Sequence, residues 1–151
     1  QLAHRGFAQG IVVAEKIAGL DPAPVDDALV PRVTFCEPEI ASVGLTEAKA
    51  KEAHGADAVT TAEFNVAGNA KSQILGAQGF VKLVSLKDGP IVGFHAIGAR
   101  MGEQVGEGQL IVNWEADADD VAALVHAHPT QNETLGEAAM ALAGKPLHNH
   151  G

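Results

Sequence analysis

The sequence predicts an α+β domain, in which helices pack on an antiparallel β-sheet. Two apolar runs, residues 79–86 and 91–97, are joined through Asp88-Gly89, and an Asp-Gly pair between such runs is typical of a β-hairpin. From residue 101 to residue 114 the apolar positions recur at helical spacing instead. Strand-rich segments therefore come before most of the helices, which is an order typical of α+β domains.

A helix is predicted at the start of the chain, over residues 1–19. Its apolar side chains, among them Phe7 and Ile11, recur at helical intervals, and a glycine ends the pattern. Two prolines then break the chain. This break predicts a boundary, at which residues 1–24 belong to another structural unit and residues 25–151 form a compact domain.

The first part of this domain is predicted to be rich in strands. Residues 29–35 are expected to form an edge strand, because Pro31 lacks the backbone N–H that a central strand would need. A second strand over residues 40–45 leads to Thr46, which is expected to cap a short helix. A loosely alternating strand over residues 58–66 follows.

The remaining elements include two features that bear on packing. Residues 67–71 are predicted to be a polar loop. In the long helix after residue 100, Gly106 and Gly108 weaken the helix but allow another element to approach closely. Asp117 is expected to cap the next helix, which leads the chain to His126.

Composition and charge narrow the class of protein. With 151 residues, 46% of them hydrophobic, the chain is long enough for one domain with a real core. The formal net charge of −9 argues against a nucleic-acid partner, because no basic patch is available to neutralise phosphates. No apolar run approaches the roughly 18 residues of a membrane span, and no secretory leader is recognisable. Since the chain starts with Gln1 rather than Met, a fragment of a longer protein is expected.

Cysteine and glycine usage exclude two kinds of site within this sequence. Cys36 is the single cysteine, so the chain has no internal disulfide and no redox dithiol, which suits a reducing, cytoplasmic compartment. With no base near it in sequence, Cys36 is expected to be a small buried residue of the edge strand. The glycines after residue 97 do not form G-x-G-x-x-G, so the chain's own motifs predict no nucleotide site.

One short stretch near the C-terminus combines an acid/base side chain, a rigid turn and a carboxylate. Pro129 fixes its own φ and restricts His128, so the imidazole is presented at a corner. Thr130 can act as an N-cap, and Glu133 completes a T-x-x-E capping box that opens a helix to about Leu142.

Two interpretations of this stretch stay open on the residues alone. In the first, Glu133 serves only the helix cap, and His128 is an ordinary loop histidine. Alternatively the carboxylate holds one ring nitrogen of His128, and the other nitrogen is free to take or return a proton near neutral pH. The two uses of Glu133 are expected to exclude each other.

Histidines also raise the question of a metal. His126 with His128, and His148 with His150, could supply four imidazoles to a transition metal. A proline and a predicted helix separate the two pairs, and the second pair lies near the chain end. Solvated histidines are therefore the expected outcome, and no metal site is predicted.

The histidine motif, His126-Ala127-His128-Pro129-Thr130 followed by Glu133, occurs together with other blocks spread over the whole chain. They are Val33-Thr34-Phe35, Glu37-Pro38-Glu39, Asn69-Ala70-Lys71, Gly79-Phe80-Val81-Lys82-Leu83, Gly93-x-His95 and Gly144-Lys145-Pro146-Leu147-His148. In order and spacing these blocks resemble the third, dimerisation domain of the flavoprotein disulfide reductases, and in particular of the dihydrolipoamide dehydrogenase family.

The resemblance implies an activity for the whole protein and a place for this chain in it. Residues 1–24 would be the terminal helix and linker of an FAD-binding domain, and residues 25–151 the dimerisation domain. The complete enzyme would oxidise protein-bound dihydrolipoamide through a redox disulfide and FAD, and would reduce NAD. The expected partners are a second copy of the chain and the lipoyl-bearing acyltransferase of a 2-oxoacid dehydrogenase complex.

The resemblance also implies roles for five residues. His128 matches the catalytic base that reaches the disulfide of the partner subunit, and Glu133 matches the carboxylate that orients it. Leu2, Ala3 and His4 match residues that lie against the flavin.

This sequence lacks several parts of the family pattern. The redox cysteine pair, the FAD-binding glycine motif and the NAD-binding fold are absent, so the chain alone is expected to be inactive and to bind neither cofactor. Two alternatives stay open, namely the dimerisation domain of another reductase of the family, such as one for glutathione or mycothiol disulfide, and a purely structural oligomerisation module. His126 and the Lys145-Pro146-Leu147-His148 tail favour lipoamide as the substrate.

Overall fold

Five strands form the centre of the computed structural model, which describes residues 2–148. The strands are β1 (Arg32–Thr34), β2 (Glu39–Gly44), β3 (Val59–Asn65), β4 (Phe80–Leu86) and β5 (Ile91–Gly98). They make one antiparallel sheet in the order β1-β2-β5-β4-β3. The predicted edge strand is thus at the edge, as Pro31 requires, although it is shorter than expected.

The helices are α1 (Ala3–Ile17), α2 (Glu47–His54), α3 (Ala70–Leu75), α4 (Met101–Asn113), α5 (Ala118–Ala122) and α6 (Glu133–Leu142). Helix α4 packs on β2 and β5, and α6 packs on β3 and β4. Their apolar side chains share one buried core with the sheet. The predicted α+β class, with helices on an antiparallel sheet, is confirmed.

The hairpin between β4 and β5 is the centre of the sheet. Its turn contains Asp88 in the left-handed region, with φ of 56°, followed by Gly89. Side chains that alternate along the strands then face the core, so that Phe94 lies beside Leu83 on one neighbouring strand and Val43 on the other. The Asp-Gly signal therefore predicted both the hairpin and the buried strands correctly.

Helix α4 approaches β5 so closely that one position must be glycine. A Cβ atom built on Gly108 would lie 2.6 Å from Cγ of Phe94, whose ring is fully buried. A Cβ on Gly106 would meet no atom within 4 Å. The prediction of a close approach is therefore confirmed for Gly108, whereas no element among residues 2–148 approaches Gly106.

Helix α2 is held to the sheet by polar contacts as well as by Ala50 in a second, smaller core. The Thr46 side chain accepts a hydrogen bond from Lys49 N, which confirms the predicted cap. Glu47 accepts hydrogen bonds from Lys51 on the same helix and from Lys82 on β4. These two ammonium groups lower the pKa of Glu47 to about 2, so its carboxylate stays ionised.

Two predictions about local structure are wrong. Residues 67–71 are not a loop, because Asn69 caps α3: its side-chain oxygen accepts a hydrogen bond from Ser72 N at 2.9 Å. Cys36 is not a buried strand residue. It lies exposed just after β1, with its sulfur 3.0 Å from the carbonyl oxygen of Pro38.

Helix α1 confirms the predicted first helix and has an uncovered apolar face. None of its residues is buried, and Phe7 and Ile17 are 73% and 83% exposed. It is tied to the rest of the chain by a hydrogen bond between Arg5 and Asp27 at 2.7 Å. The large apolar side chains of α1 are therefore left mostly exposed within residues 2–148.

Candidate active site

The loop before α6 places His128 and Glu133 in contact. Nδ1 of His128 lies 2.8 Å from Oε1 of Glu133, and with a carboxylate as acceptor the ring nitrogen donates. The His128 side chain is 70% exposed, whereas that of Glu133 is 24% exposed. Within residues 2–148 no hydrogen bond involves Nε2 of His128. One ring nitrogen is thus held by the carboxylate, and the other faces outward.

Glu133 serves the histidine and the backbone at once. Its Oε2 accepts a hydrogen bond from Thr130 N at 2.7 Å while Oε1 holds His128. The expectation that these two uses exclude each other is wrong, because a carboxylate has two oxygens that accept independently. Burial tends to raise the pKa of Glu133, but the Thr130 N–H and His128 outweigh it, so the pKa is lowered.

The other half of the predicted capping box is absent. The Thr130 hydroxyl donates to Ala127 O at 2.6 Å, and no side chain among residues 2–148 accepts a cap hydrogen bond from the first turn of α6. Asn132 occupies the N-cap position, and α6 begins at Glu133. The prediction that Thr130 caps this helix is therefore wrong, since its hydroxyl closes the turn around the cis His128–Pro129 peptide instead.

A second histidine–carboxylate pair lies beside the first. Nε2 of His126 is 2.7 Å from Oε1 of Glu107 on α4, and the other oxygen of Glu107 accepts from the Asn132 side chain. A Cβ on Gly136 would lie 2.7 Å from Nδ1 of His126, so the ring packs against the α6 backbone at that glycine. Glu107 therefore connects α4 to both ends of the loop that carries His128.

The pKa values of this second pair shift in opposite directions. The hydrogen bond to Glu107 raises the pKa of His126 above 6.5, against the opposing effect of burial. Burial tends to raise the pKa of Glu107, but the hydrogen bonds from His126 and Asn132 outweigh it and lower the pKa below 4.5. The charged forms of both groups are thus favoured by folding.

The pair predicts a pH dependence of stability. The contribution of His126 is full below about pH 6.5 and is lost as the pH rises through its raised pKa. The contribution of Glu107 is full above about pH 4.5 and is lost as the pH falls through its lowered pKa. We expect the free energy of unfolding to lose about 1 kcal/mol between pH 5.5 and 8.5 from this pair.

His126→Gln removes the titrating group but keeps a hydrogen-bond donor. Urea denaturation at the two pH values measures the difference in each protein, and groups shared by both cancel in the comparison. We expect a smaller loss in the variant than in the parent chain. Equal losses would show that the His126–Glu107 pair contributes nothing to the pH dependence.

The three described histidines that were considered for a metal lie apart from one another. His126, His128 and His148 each contact a different carboxylate, of Glu107, Glu133 and Glu137 respectively. Among residues 2–148 no group of three or more His, Cys, Asp or Glu side chains could hold a metal ion. His150, the fourth histidine considered, lies outside the described residues.

The three predicted flavin-contact residues lie apart from the histidine loop. Leu2, Ala3 and His4 line a cavity of about 710 Å³ between α1, the segment 24–35 and α4. Nε2 of His4 lies 2.7 Å from Pro31 O. No residue of the loop that carries His128 lines this cavity.

A family model described as "Pyridine nucleotide-disulphide oxidoreductase, dimerisation domain" matches residues 30–139. The chain belongs to this family. The resemblance seen in the sequence is thereby confirmed, and β1 to β5 with α2 to α6 form the greater part of a dimerisation domain.

Curated relatives of this dimerisation domain are named dihydrolipoyl dehydrogenase. One from Bacillus subtilis is 42% identical over 149 residues, which are 97% of this chain and 31% of the relative. One from Mycobacterium tuberculosis is 43% identical over 147 residues, covering 95% of this chain and 31% of the relative. The chain therefore spans about a third of the length of the curated relatives it matches.

Solved structures share the fold of the dimerisation domain. LpdA from Mycobacterium tuberculosis matches 89% of this chain and 29% of its own with a TM-score of 0.81 and 23% identity. The Cu(II) complex of the HOCl-induced flavoprotein disulfide reductase RclA from Escherichia coli matches 94% of this chain and 32% of its own, with a TM-score of 0.84 and 19% identity. At these identities the likeness supports the fold alone.

Proposed function

We propose that this chain is the dimerisation domain of a dihydrolipoyl dehydrogenase, and that it supplies His128 and Glu133 to the active site of a partner subunit. The relatives that are more than 40% identical carry that name. The observation that carries the proposal is the exposed His128 ring, whose Nδ1 is held by Glu133 and whose Nε2 faces outward. Such a ring is suited to proton transfer with a group from another chain.

His128 would act as the base toward a dithiol. Its Nε2 would take the proton of a dihydrolipoamide thiol. The resulting thiolate would attack one sulfur of the partner subunit's redox disulfide, forming a mixed disulfide and releasing the other cysteine as a thiolate. The carboxylate of Glu133 stabilises the imidazolium that forms and keeps Nε2 directed outward. Cys36 is the chain's one cysteine, so the disulfide must come from another part of the protein.

Residues 1–24 would then be the last helix and linker of the FAD-binding domain, with residues 25–151 as the dimerisation domain. The apolar face of α1 supports this division, because its large side chains are left mostly exposed within residues 2–148. The family match also begins after the break, at residue 30.

The start of α1 fits a contact with a flavin. Among residues 2–148 no side chain caps the first turn of α1, so the backbone N–H groups of this turn are available to an acceptor. Leu2, Ala3 and His4 border the neighbouring cavity, which is largely lined by apolar residues. When bound, FAD would pass electrons from the dithiol to NAD. Both are cofactors of the whole protein, and this chain would hold neither alone.

The partners follow from the same proposal. A second copy of the chain would complete the active site, and a lipoyl-bearing acyltransferase of a 2-oxoacid dehydrogenase complex would present the substrate.

No helix among residues 2–148 is long and apolar enough to cross a membrane. A cytoplasmic location agrees with the single reduced cysteine, and the net charge of −9 disfavours nucleic acid as a partner.

Mixing two inactive variants of the full-length protein tests the shared site. One carries His128→Gln, and the other has one cysteine of its redox pair replaced by serine. After the subunits are exchanged, each mixed dimer contains one intact active site, so dihydrolipoamide turnover should return. No recovery in mixtures shown to contain heterodimers would favour a purely structural oligomerisation module.

Glu133→Gln separates orientation of His128 from the chemistry itself. The amide keeps the size of the side chain and one acceptor oxygen, but it loses the charge that supports the imidazolium. We expect turnover of the full-length protein to fall by about tenfold, which is less than for loss of the base. Unchanged turnover with a loss of stability near 1 kcal/mol would show that Glu133 serves only the turn.

A further inference from the structure

Three buried polar side chains connect α3 to the loop that carries His128. Asn69 and Gln131 are 6% and 4% exposed, and Ser72 is fully buried. Polar groups at such positions are costly unless their hydrogen bonds are made. We call this set the α3 brace.

The hydrogen bonds of the α3 brace link α3 to the loop and the loop to the turn before α4. The Asn69 amide donates through Nδ2 to Thr130 O at 3.1 Å, while its Oδ1 caps α3. The Ser72 hydroxyl donates to Oε1 of Gln131 at 2.8 Å. Nε2 of Gln131 then donates to Ala99 O, at the turn between β5 and α4, at 2.8 Å.

These contacts hold the residues that lie between the two members of the candidate acid/base pair. Thr130 and Gln131 are fixed through a carbonyl and through both ends of a side-chain amide. The N–H of the same Thr130 donates to Glu133, whose other oxygen holds His128. A displacement of the loop would therefore change the direction in which Nε2 of His128 points.

We propose that Ser72 and Asn69 are positioning residues for the His128–Glu133 pair. Neither touches the imidazole. They act through Gln131 and Thr130, and they give the Asn69-Ala70-Lys71 block a role in the reaction. The inference rests on the proposed function of His128 as the base.

Ser72→Ala in the full-length protein removes one buried hydroxyl and leaves Gln131 Oε1 without its donor. Ser85→Ala is the matched control, because Ser85 is also buried and its hydroxyl lies near the carbonyl oxygens of the β4–β5 turn. We expect Ser72→Ala to lower kcat for dihydrolipoamide by about tenfold with little change in KM, since a misplaced catalytic group slows the reaction. Ser85→Ala should lower stability similarly and leave kcat unchanged.

Ser72→Ala and Ser85→Ala are also made in the His128→Gln variant. This comparison distinguishes a positioning effect on His128 from a general loss of stability. If Ser72 acts through His128, Ser72→Ala should have no further effect on kcat once the imidazole is absent. An equal loss in both backgrounds, or a kcat equal to that of Ser85→Ala, would overturn the positioning role. If His128→Gln itself leaves turnover unchanged, the proposed function fails first, and the positioning role fails with it.

Asn69→Asp provides a second variant that keeps the cap on α3. It replaces the Nδ2 donor to Thr130 O with an acceptor oxygen and adds a negative charge at a buried position, whereas Asn65→Asp makes the same chemical change at an exposed residue that caps the preceding turn. We expect Asn69→Asp to reduce kcat in the protein that keeps His128 and to have no further effect in the His128→Gln background. Asn65→Asp should leave kcat unchanged in both. Equal kcat values for the two variants would overturn the role of Asn69.

Discussion

Replacing His128 by glutamine in the full-length protein is expected, from its proposed role as the base, to lower dihydrolipoamide turnover by about 10²- to 10⁴-fold, the usual effect of losing a general base. Glutamine can still donate a hydrogen bond to Glu133, but it cannot take a proton from a thiol near neutral pH. The formation of NADH from NAD and dihydrolipoamide measures the change. Because the His128 side chain is 70% exposed, folding should be unaffected.

His54→Gln is the matched control for this experiment. His54 is an exposed histidine at the end of α2, on an element that packs away from the loop before α6. Its replacement should leave turnover and thermal stability unchanged. Turnover by the His128 variant within twofold of the control would remove His128 from the mechanism.

Elements with strong local signals were predicted from the sequence. The Asp88-Gly89 turn, the helical spacing of α4 and the caps by Thr46 and Asp117 all depend on residues close together in the chain. His128 and Glu133 belong to the same class, since five positions and one turn separate them. Local chemistry was therefore enough to bring this pair together.

The contacts that support the pair depend on the tertiary fold. Glu107 meets His126 across 19 positions, and Asn69 meets Thr130 across 61. Nothing in the local sequence marks Glu107, whose spacing on α4 is that of an ordinary exposed carboxylate. Such contacts exist only after the sheet has placed α3, α4 and the loop side by side.

Cys36 shows the opposite failure, in which a plausible local rule gave the wrong result. Small sulfur-containing residues near a strand are commonly buried. Here β1 ends at Thr34, so Cys36 lies beyond the strand and is exposed. The boundary of a short edge strand, which composition does not determine, decided the outcome.

Because α4 lies so close to the sheet, a substitution at Gly108 is expected to have a large effect on stability. Gly108→Ala should lower the free energy of unfolding of the chain by about 1 to 3 kcal/mol, as is usual for overpacking a filled core. The added methyl would lie 2.6 Å from the Phe94 ring, which is fully buried and has no room to move. Displacing α4 would also move Glu107, the neighbouring residue that holds His126.

Gly106→Ala on the same helix separates the clash from helix propensity. Alanine favours a helix over glycine by about 1 kcal/mol at either position. At Gly106 the methyl meets no atom of residues 2–148 within 4 Å, so this variant should be more stable than the parent by about 0.4 to 1 kcal/mol. Urea denaturation of both variants measures the difference. If both were stabilised alike, α4 would not be held against Phe94, and Glu107 could not fix the loop that presents His128.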